Sequence, residues 1–259
     1  MPLSFHKKPG LVVYVTCGDP DLATTRVVVL AAIEAGADVI ELGVPFSDPV
    51  ADGPVIQRAS ERALKNGTTL AHVLRLAAEV RQQAQSTGLV VFSYLNPILR
   101  MGMEKFCRVA RAAGVDGALI TDLPVEEADE YLRAMRAHDL APIFLAAPTS
   151  PEARLKRIAE ASRGFVYAVS RTGVTGARQK LADDAQKLVG RLRRVTKLPV
   201  AVGFGISNAE QFAEAGKFAD AVVVGSAIVE TIERNRGREA AAVGEFVGKV
   251  TGRWVSVSE

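Results

Sequence analysis

The sequence predicts an α/β fold, a closed barrel of eight parallel strands, each followed by a helix. Strand-like and helix-like segments alternate along the 259 residues as eight units, and no linker or low-complexity stretch divides them. Regular alternation is typical of a parallel sheet covered by helices. Eight units in about 250 residues is the usual size of a (β/α)8, or TIM, barrel. We therefore expect residues 1–259 to form a single TIM-barrel domain.

The eight predicted strands are short runs rich in β-branched and apolar residues, closed in most cases by glycine or proline. They cover residues 11–16, 39–44, 89–95, 117–121, 142–146, 165–169, 199–202 and 220–224. The first strand ends at Gly18-Asp19-Pro20 and the third at Asn96-Pro97. Residues of these types favour turns and stop a strand where the chain must change direction.

The helices between these strands place apolar residues at helical spacing and stop at recognisable boundaries. They are predicted at residues 24–35, 69–87, 104–113, 126–138, 151–162, 181–196 and about 208–216, with a last helical region running toward residue 250. Gly36, Gly88 and Gly114 follow three of them. Pro151 begins another, a position at which its missing N–H does no harm.

An open, doubly wound sheet is the alternative fold for the same alternation of elements. Such sheets commonly carry a G-x-G-x-x-G turn after the first strand or a G-x-x-x-x-G-K-[ST] loop. The first strand here is followed by Cys17-Gly18-Asp19, and neither motif occurs. The closed barrel is therefore preferred.

Composition excludes several classes of function. The net charge of +3 is too small to indicate binding to nucleic acid or to a membrane surface. We find no apolar run of membrane-spanning length and no apolar core of a signal peptide near the start. Cys17 and Cys107 form neither a metal-binding spacing nor a disulfide framework. We expect reduced cysteines and a cytoplasmic protein.

The residue inventory also limits the chemistry. His6, His72 and His138 all lie away from predicted strand ends, which argues against a His-ligated metal. Lys197 precedes the seventh strand, at the wrong end of the barrel for a Schiff base. No Ser–His–Asp set is evident. Carboxylates remain as candidates for proton transfer.

Glu41 is the most informative of these carboxylates, because it lies in the middle of an apolar strand. Burying an ionised carboxylate is costly unless it is paired or used in chemistry. The structural interpretation is a Glu satisfied by an arginine or by backbone donors. The functional interpretation is acid–base catalysis on a phosphorylated substrate, by Glu41 with either Asp52 in the loop 45–54 or Asp122 after the fourth strand.

Two glycine-rich turns indicate a phosphate site. Residues 203–205 (Gly-Phe-Gly) follow the seventh predicted strand, and Gly225-Ser226 follow the eighth. This is the usual phosphate position in the fold, where glycines let backbone N–H groups approach the anion. A helix beginning at Ser226 would direct its positive end at the same point. The alternative is a pair of tight turns that bind no ligand.

The small, polar loop 170–178 follows the sixth predicted strand directly, either as a mobile lid or as a plain surface connection. Bulky side chains at strand ends and in the loops suit a flat aromatic substrate, or are ordinary core packing. These candidate pocket walls are Tyr14, Ile56, Phe92, Tyr94, Leu119 and Phe204.

Over nearly its whole length the chain resembles the alpha subunit of tryptophan synthase. The matching segments are residues 41–54, 96–97, 122–124, 170–176, 203–206 and 225–227. The first and fourth are long and specific. The resemblance implies retro-aldol cleavage of indole-3-glycerol phosphate to indole and glyceraldehyde 3-phosphate.

The resemblance also implies roles for single residues. Glu41 matches the catalytic acid/base that protonates indole C3 and takes the proton of the glycerol hydroxyl. Asp52 matches the carboxylate that hydrogen-bonds the indole N–H. Tyr167 matches a site tyrosine near Glu41, Thr175 a lid threonine that contacts the aspartate, and Phe204 an indole-pocket wall. The implied phosphate-binding positions are Gly176, Gly205, Gly225 and Ser226.

By the same resemblance, the partner is a pyridoxal-phosphate-dependent beta subunit in an α2β2 assembly that channels indole. Asn96-Pro97 and the loop around Pro49 match surfaces facing that partner, and no cofactor is expected in this chain.

The chain departs from the family in two ways. Only about ten residues precede the first strand, without helical character, so we expect a less well covered barrel bottom. Tyr14 stands where the family often has Phe, and its hydroxyl needs a partner.

Three alternatives remain open at this stage. One is a free-standing, indole-releasing lyase of the same family. Another is a phosphate-binding barrel isomerase or synthase with different acid–base groups, which would not predict the long match over residues 41–54. The third is a partner protein that has lost catalysis, against which the intact Glu41, Asp52 and Thr175 argue.

Overall fold

The computed structural model describes residues 7–169, 178–203 and 205–252, together with Leu3 and Phe5. Its strands form one sheet in which every paired strand runs parallel to its neighbour. The strands are β1 (Gly10–Thr16), β2 (Val39–Gly43), β3 (Gly88–Ser93), β4 (Gly117–Ile120), β5 (Ala141–Ile143), β6 (Leu145–Ala146), β7 (Val166–Val169), β8 (Val200–Gly203) and β9 (Ala221–Val224).

The sheet closes on itself through a strand that is split at Phe144. The spatial order is β5-β4-β3-β2-β1-β9-β8-β7-β6, and the two end strands are separated in sequence by this one residue. Tyr167 N donates to Phe144 O at 3.1 Å, so the split residue still takes part in the ladder. β5 and β6 are therefore halves of one barrel strand. The predicted (β/α)8 barrel is confirmed, and the seventh and eighth predicted strands are β8 and β9.

Eleven α-helices surround the strands in the described part of the chain. They are α1 (Leu22–Glu34), α2 (Pro54–Lys65), α3 (Leu70–Gln83), α4 (Leu95–Met101), α5 (Met103–Ala112), α6 (Asp129–Ala137), α7 (Glu152–Ala161), α8 (Arg178–Leu192), α9 (Ala209–Gly216), α10 (Ser226–Arg234) and α11 (Glu239–Val250). A 3-10 turn at Val125–Glu127 precedes α6. The last predicted helical region is thus two helices.

Two helices at the mouth of the barrel were not predicted. In α2, Gly53 is the N-cap and Pro54 the first helical residue, so residues that indicate a turn here begin a helix. In α4, Pro97 lies in the first turn, where its missing N–H breaks no helical bond. The third predicted strand accordingly ends at Ser93 rather than at residue 95.

Helix α3 ends at Gln83, four residues before the predicted end at residue 87. The guanidinium of Arg81 donates to the carbonyl oxygens of Ala84, Gln85 and Thr87 at 2.9–3.0 Å. These carbonyls would bond to later N–H groups if the helix continued. The arginine therefore satisfies them in a non-helical path.

The inner face of the barrel is filled from below by two residues before β1. Leu3 is 5% exposed, and with Phe5 it packs in the inner apolar cluster that includes Val12, Val39 and Phe165. The rings of Phe5 and Phe165 lie 5.7 Å apart. The expectation of a poorly covered barrel bottom is wrong, because two apolar side chains close it without a helix.

Three aspartates fasten the bottom of the sheet in the same way. Each lies one residue before its strand, and a carboxylate oxygen accepts the backbone N–H of a residue in the neighbouring strand. The pairs are Asp38 with Leu11 N at 2.8 Å, Asp116 with Leu89 N at 2.9 Å and Asp220 with Val200 N at 3.0 Å. Buried N–H groups at the strand starts are thereby satisfied.

No helix among the described residues has the length and apolar character needed to cross a membrane. Cys17 and Cys107 are both fully buried free thiols. Burial raises the pKa of Cys107 to about 11 and shifts that of Cys17 further in the same direction. Both side chains act as small apolar groups in the core.

Candidate active site

Alternation along the strands directs Tyr14 and Glu41 into the barrel. Val12 and Val39 belong to the inner cluster, whereas Ile40 and Leu42 pack outward against the helices. Residues two positions apart share a face of a strand. Tyr14 and Glu41 are directly paired between β1 and β2. The two side chains are therefore neighbours on the inner wall of the barrel.

Glu41 is a buried carboxyl without a hydrogen-bond partner in the described part of the chain. Glu41 is 1% exposed, and neither Oε1 nor Oε2 accepts a hydrogen bond from any of the described residues. Burial raises the pKa of Glu41 to about 8. At neutral pH the carboxyl is consequently mostly protonated and can give a proton away. The structural interpretation, in which an arginine or backbone donors satisfy Glu41, finds no support in these contacts.

Asp52 lies in the loop between β2 and α2 and is less deeply buried. Burial raises its pKa to about 6, while a hydrogen bond from Tyr94 acts in the opposite direction. Asp52 is therefore mostly ionised at neutral pH, where Glu41 is mostly neutral. Two carboxyls with separated pKa values can take different roles in one reaction.

The loop that carries Asp52 is held in place by side chains on both sides. Ala51 N donates to Tyr94 Oη at 2.9 Å, and Gln57 Nε2 donates to Asp52 O at 2.9 Å. The ring of Phe46 stacks on that of Tyr94 with 4.9 Å between centroids. These contacts fix the backbone on either side of the carboxyl.

Helix α2 is further anchored by a group of charged residues, here called the Arg62 cluster, which comprises Asp19, Arg58, Arg62, Glu233 and Arg236. Arg62 binds Asp19 through two hydrogen bonds and binds Glu233 through Nη1 at 2.8 Å. Glu233 also accepts from Arg58, and Arg236 approaches Asp19. The cluster joins the end of β1, α2 and the end of α10.

Aromatic and apolar residues line the mouth of the barrel. Tyr14 packs with Ile56 and Phe92, and its ring meets that of Phe92 edge-on with 5.1 Å between centroids. Leu119 lies deeper, in the inner cluster to which Phe92 and Tyr167 also contribute. Tyr14, Ile56, Phe92 and Leu119 are thus connected through Phe92, whereas Tyr94 contacts the loop that carries Asp52.

Tyr167 lies on β7 with its hydroxyl against Gly203 of the next strand. A β-carbon at Gly203 would lie 2.5 Å from this hydroxyl. Burial first, and then the nearby Glu41 and Tyr14, raise the pKa of Tyr167. The phenol is therefore neutral, and it lies in the same part of the barrel as Glu41.

Asp122 does not join the buried carboxyls. It is exposed on the rim, and its Oδ1 accepts the backbone N–H of Leu95 at 2.7 Å, at the first residue of α4. Asn96 lies on α4 and is also exposed. Of the two acid–base partners considered for Glu41, the contacts therefore favour Asp52.

The two glycine turns end neighbouring strands, as the sequence predicts. Gly205 follows β8 with φ of 79°, a backbone conformation that favours glycine. Gly225 follows β9 and is the N-cap of α10, which begins at Ser226 as predicted. Gly225 offers no side-chain cap, and among the described residues Ile228 N bonds to Gly225 O at 2.9 Å, so the N–H groups of Ser226 and Ala227 are the ones that could face an anion.

Several predicted site residues lie outside the described residues. They are Phe204 and the loop residues Ser170, Arg171, Thr175 and Gly176. Among the residues that are described, no group of three or more His, Cys, Asp or Glu side chains is placed to hold a metal ion.

Sequence reasoning missed Phe46, Gln57 and Arg62 as supports of the site. Phe46 and Gln57 flank Asp52 within a few residues, so their position beside a candidate catalytic loop was the available signal. Arg62 had no such signal, because its partners Asp19 and Glu233 are 43 and 171 residues away in sequence.

A parallel barrel with two carboxyls of unequal pKa at its carboxyl-terminal mouth defines the class of protein: a barrel enzyme equipped for proton transfer by carboxyl groups. The sequence profile of the family described as tryptophan synthase alpha chain matches residues 3–252. The chain belongs to the tryptophan synthase alpha chain family.

Individual relatives agree with this assignment. The chain is 53% identical to the tryptophan synthase alpha chain of Solibacter usitatus, over 90% of this chain and 87% of the relative. Among solved structures, tryptophan synthase from Mycobacterium tuberculosis superposes with a TM-score of 0.87 at 39% identity, covering 95% of this chain and 92% of that one. The tryptophan synthase complex from Pyrococcus furiosus gives 0.87 at 40% identity, covering 95% and 99%.

Proposed function

We propose that Glu41 and Asp52 together carry out the reaction of this family, the cleavage of indole-3-glycerol phosphate to indole and glyceraldehyde 3-phosphate. The observation that carries the proposal is the buried carboxyl of Glu41, which has no hydrogen-bond partner among the described residues, lies beside an aromatic wall and has its pKa raised by burial to about 8. Such a group is costly to keep in a folded protein unless chemistry uses it.

The reaction is a retro-aldol cleavage in which protons balance. Protonated Glu41 gives its proton to indole C3, which leaves a positively charged indolenine. The resulting carboxylate then takes the proton of the hydroxyl on the adjoining carbon of the glycerol chain. As that oxygen becomes the aldehyde, the carbon–carbon bond breaks and its electron pair restores the aromatic indole. Glu41 ends the cycle as it began, protonated.

Asp52 stabilises the positively charged indolenine intermediate. Its carboxylate, ionised at neutral pH, accepts a hydrogen bond from the indole N–H and stabilises the positive charge that develops on that nitrogen. Tyr14, Phe92, Tyr94 and Tyr167 form the walls around the indole, together with Phe204. By the family resemblance, Thr175 is the residue of the loop 170–178 assigned to contact Asp52.

Gly176, Gly205, Gly225 and Ser226 bind the phosphate group. The support for this assignment is the left-handed backbone at Gly205 and the start of α10 at Ser226. A helix N-terminus next to a glycine turn offers backbone N–H groups to a dianion. The phosphate and the two carboxyls would then hold opposite ends of one substrate.

The partner is a beta chain, which binds pyridoxal phosphate and receives the indole, in an α2β2 assembly. This chain itself needs no cofactor, and residues 1–259 form one domain.

A groove of about 800 Å³ lies between the β2–α2 loop and α4. Its lining includes Asn96, Pro97 and the exposed Leu99, and the exposed Val50 lies in the adjoining loop. Exposed apolar side chains around a groove are typical of a protein interface.

The first experiment is to incubate the purified chain with indole-3-glycerol phosphate and to follow indole release, with and without a beta chain. Slow release that rises strongly with the partner supports the lyase and its coupled assembly. Fast release by the chain alone favours a free-standing indole producer. Absence of release in both cases, with the chain folded, contradicts the lyase and favours the barrel-isomerase or non-catalytic alternatives.

A Glu41→Gln variant locates the chemistry. We expect a loss of roughly 10²–10⁴-fold in kcat, the usual contribution of a general acid–base group, with binding to the beta chain retained. The matched control is Glu160→Gln on α7, where the side chain is 66% exposed and pairs with Lys156 of the same helix. This control should leave indole release unchanged.

A further inference from the structure

The hydroxyl of Tyr14 is buried in the barrel but poorly satisfied. Tyr14 is 5% exposed. Within the described part of the chain its hydroxyl meets one hydrogen-bonding group, Thr16 Oγ1, at 3.4 Å. A good O–H···O bond measures about 2.7–2.8 Å. Buried polar groups are normally hydrogen-bonded, so an oxygen with so long a contact calls for a second partner.

The position of the Tyr14 ring shows where such a partner would have to lie. The hydroxyl lies so close to Gly43 that a β-carbon there would overlap it, and Gly43 is two residues beyond Glu41 on the same face of β2. At its other end, Tyr14 Cβ would be 3.5 Å from a β-carbon at Gly225. The Tyr14 side chain therefore reaches from Gly225, in the proposed phosphate site, to Gly43, two residues beyond Glu41 on β2.

A substrate held by its phosphate at Gly225 and by its reacting carbon at Glu41 must run its three-carbon chain along this side chain. That chain carries hydroxyl groups, which can both donate and accept hydrogen bonds. We propose that the Tyr14 hydroxyl is a further substrate-contacting group, which hydrogen-bonds a hydroxyl of the phosphorylated three-carbon chain. The inference rests on the proposed function.

The competing explanation is that Tyr14 serves only as packing. Its ring meets Phe92 edge-on, and it contacts Ala59 and Val229 in one apolar cluster. These contacts belong to the ring, so Tyr14→Phe preserves them. The variant therefore removes only the oxygen, and a packing role predicts no effect of its removal on ligand choice.

The test compares two ligands in two proteins. The ligands are indole-3-glycerol phosphate and an indole that carries a three-carbon phosphate chain without hydroxyls. The proteins are the full chain with Glu41→Gln, in which the expected loss of kcat slows turnover during the titration, and the same chain with Tyr14→Phe added. Calorimetric titration gives Kd for the four combinations. A single lost hydrogen bond weakens binding by roughly three- to tenfold.

We expect Tyr14→Phe to raise Kd by that factor for the hydroxylated ligand and by less than twofold for the ligand without hydroxyls. Equal changes for both ligands, or no change for either, overturn the inference while leaving the proposed function intact. Failure of both ligands to bind the Glu41→Gln chain, with the chain folded, overturns the proposed function and the inference with it.

Tyr131→Phe is the matched control. The Tyr131 hydroxyl donates to Ala118 O at 2.8 Å, on the outer side of the sheet, where it is buried between the strands and the helices. Its removal should lower the melting temperature and leave the ratio of the two Kd values unchanged. If this control shifts the ratio as Tyr14→Phe does, the effect is not a contact of Tyr14 with substrate and the inference fails.

Discussion

Arg62 and Asp19 form a two-pronged ion pair, with Nε 2.8 Å from Oδ1 and Nη2 2.7 Å from Oδ2. Asp19 is 3% exposed, so its charge is almost wholly removed from water. Arg62 lies on α2, the helix that directly follows Asp52. The pair therefore connects the stability of the barrel mouth with the placement of a candidate catalytic group.

We expect Arg62→Met to destabilise the fold by about 2 kcal/mol, since among the described residues it leaves the buried Asp19 with the more distant Arg236 as its counter-charge. The value is below the usual cost of a broken buried pair because Arg62 itself is partly exposed. Urea unfolding measures it. Arg26→Met, which breaks an exposed pair with Glu79 at 3.8 Å, should cost less than about 0.5 kcal/mol. Equal losses in the two variants would contradict the burial argument.

Tyr94→Phe should change how Asp52 titrates. The hydrogen bond from Tyr94 lowers the pKa of Asp52, against the larger effect of burial. Without the hydroxyl, the pKa of Asp52 should rise from about 6, and Ala51 N should lose its acceptor. The acidic limb of the kcat/KM profile should move to higher pH, with the alkaline limb unchanged. A parallel displacement of both limbs would show that Tyr94 acts on the site as a whole.

The wild-type kcat/KM should follow a bell-shaped pH profile. The mechanism needs ionised Asp52 and protonated Glu41, whose pKa values are raised by burial to about 6 and about 8. Activity should therefore rise through the lower value, reach its maximum near neutrality and fall through the upper one. Initial rates of indole release at fixed ionic strength measure the profile. A profile that still rises above pH 9 would show that Glu41 acts only as a base.

Glu41→Met should stabilise the chain increasingly as pH rises. The pKa of Glu41 is raised from 4.5 to about 8 in the folded protein, so the unfolded state loses its proton first. The folded state then binds more protons, and the free energy of unfolding falls between these two pH values. Methionine, of similar volume, abolishes this dependence. The gain over wild type should be small at pH 4.5 and reach roughly 2–4 kcal/mol at pH 8.

The same variant should release no indole, so that activity and stability change in opposite directions. Urea unfolding at several pH values provides the measurement. A constant difference between the two proteins from pH 4.5 to pH 8 would mean that Glu41 titrates normally in the fold. It would then not be the buried acid that the mechanism requires.

The barrel and Glu41 could be predicted because their signals are local. Each strand is a short apolar run closed by a turn, and a carboxylate inside such a run stands out without knowledge of its neighbours. The start of α10 at Ser226 was predictable for the same reason, since a glycine turn and a helix boundary coincide there.

The features that escaped prediction depend on distant contacts. Gly53 and Pro54 indicate a turn in isolation, and they begin α2 because that helix packs on α10 and carries the Arg62 cluster. The exclusion of Asp122 needed the position of Leu95 N, 27 residues away. Leu3 and Phe5 have no periodic pattern around them, so no local signal predicts that their side chains pack inside the barrel.

The closed bottom of the barrel determines where the proton transferred in the reaction comes from. With Leu3, Phe5 and Phe165 packed below it, the part of the chain that the structure describes leaves Glu41 the upper opening as its route for proton exchange with bulk water. A substrate seated in that opening isolates the carboxyl from solvent. One proton must then suffice for the whole turnover, given to carbon and recovered from oxygen. Deuterium placed on Glu41 before binding would be delivered to the indole ring, with no dilution by the surrounding water.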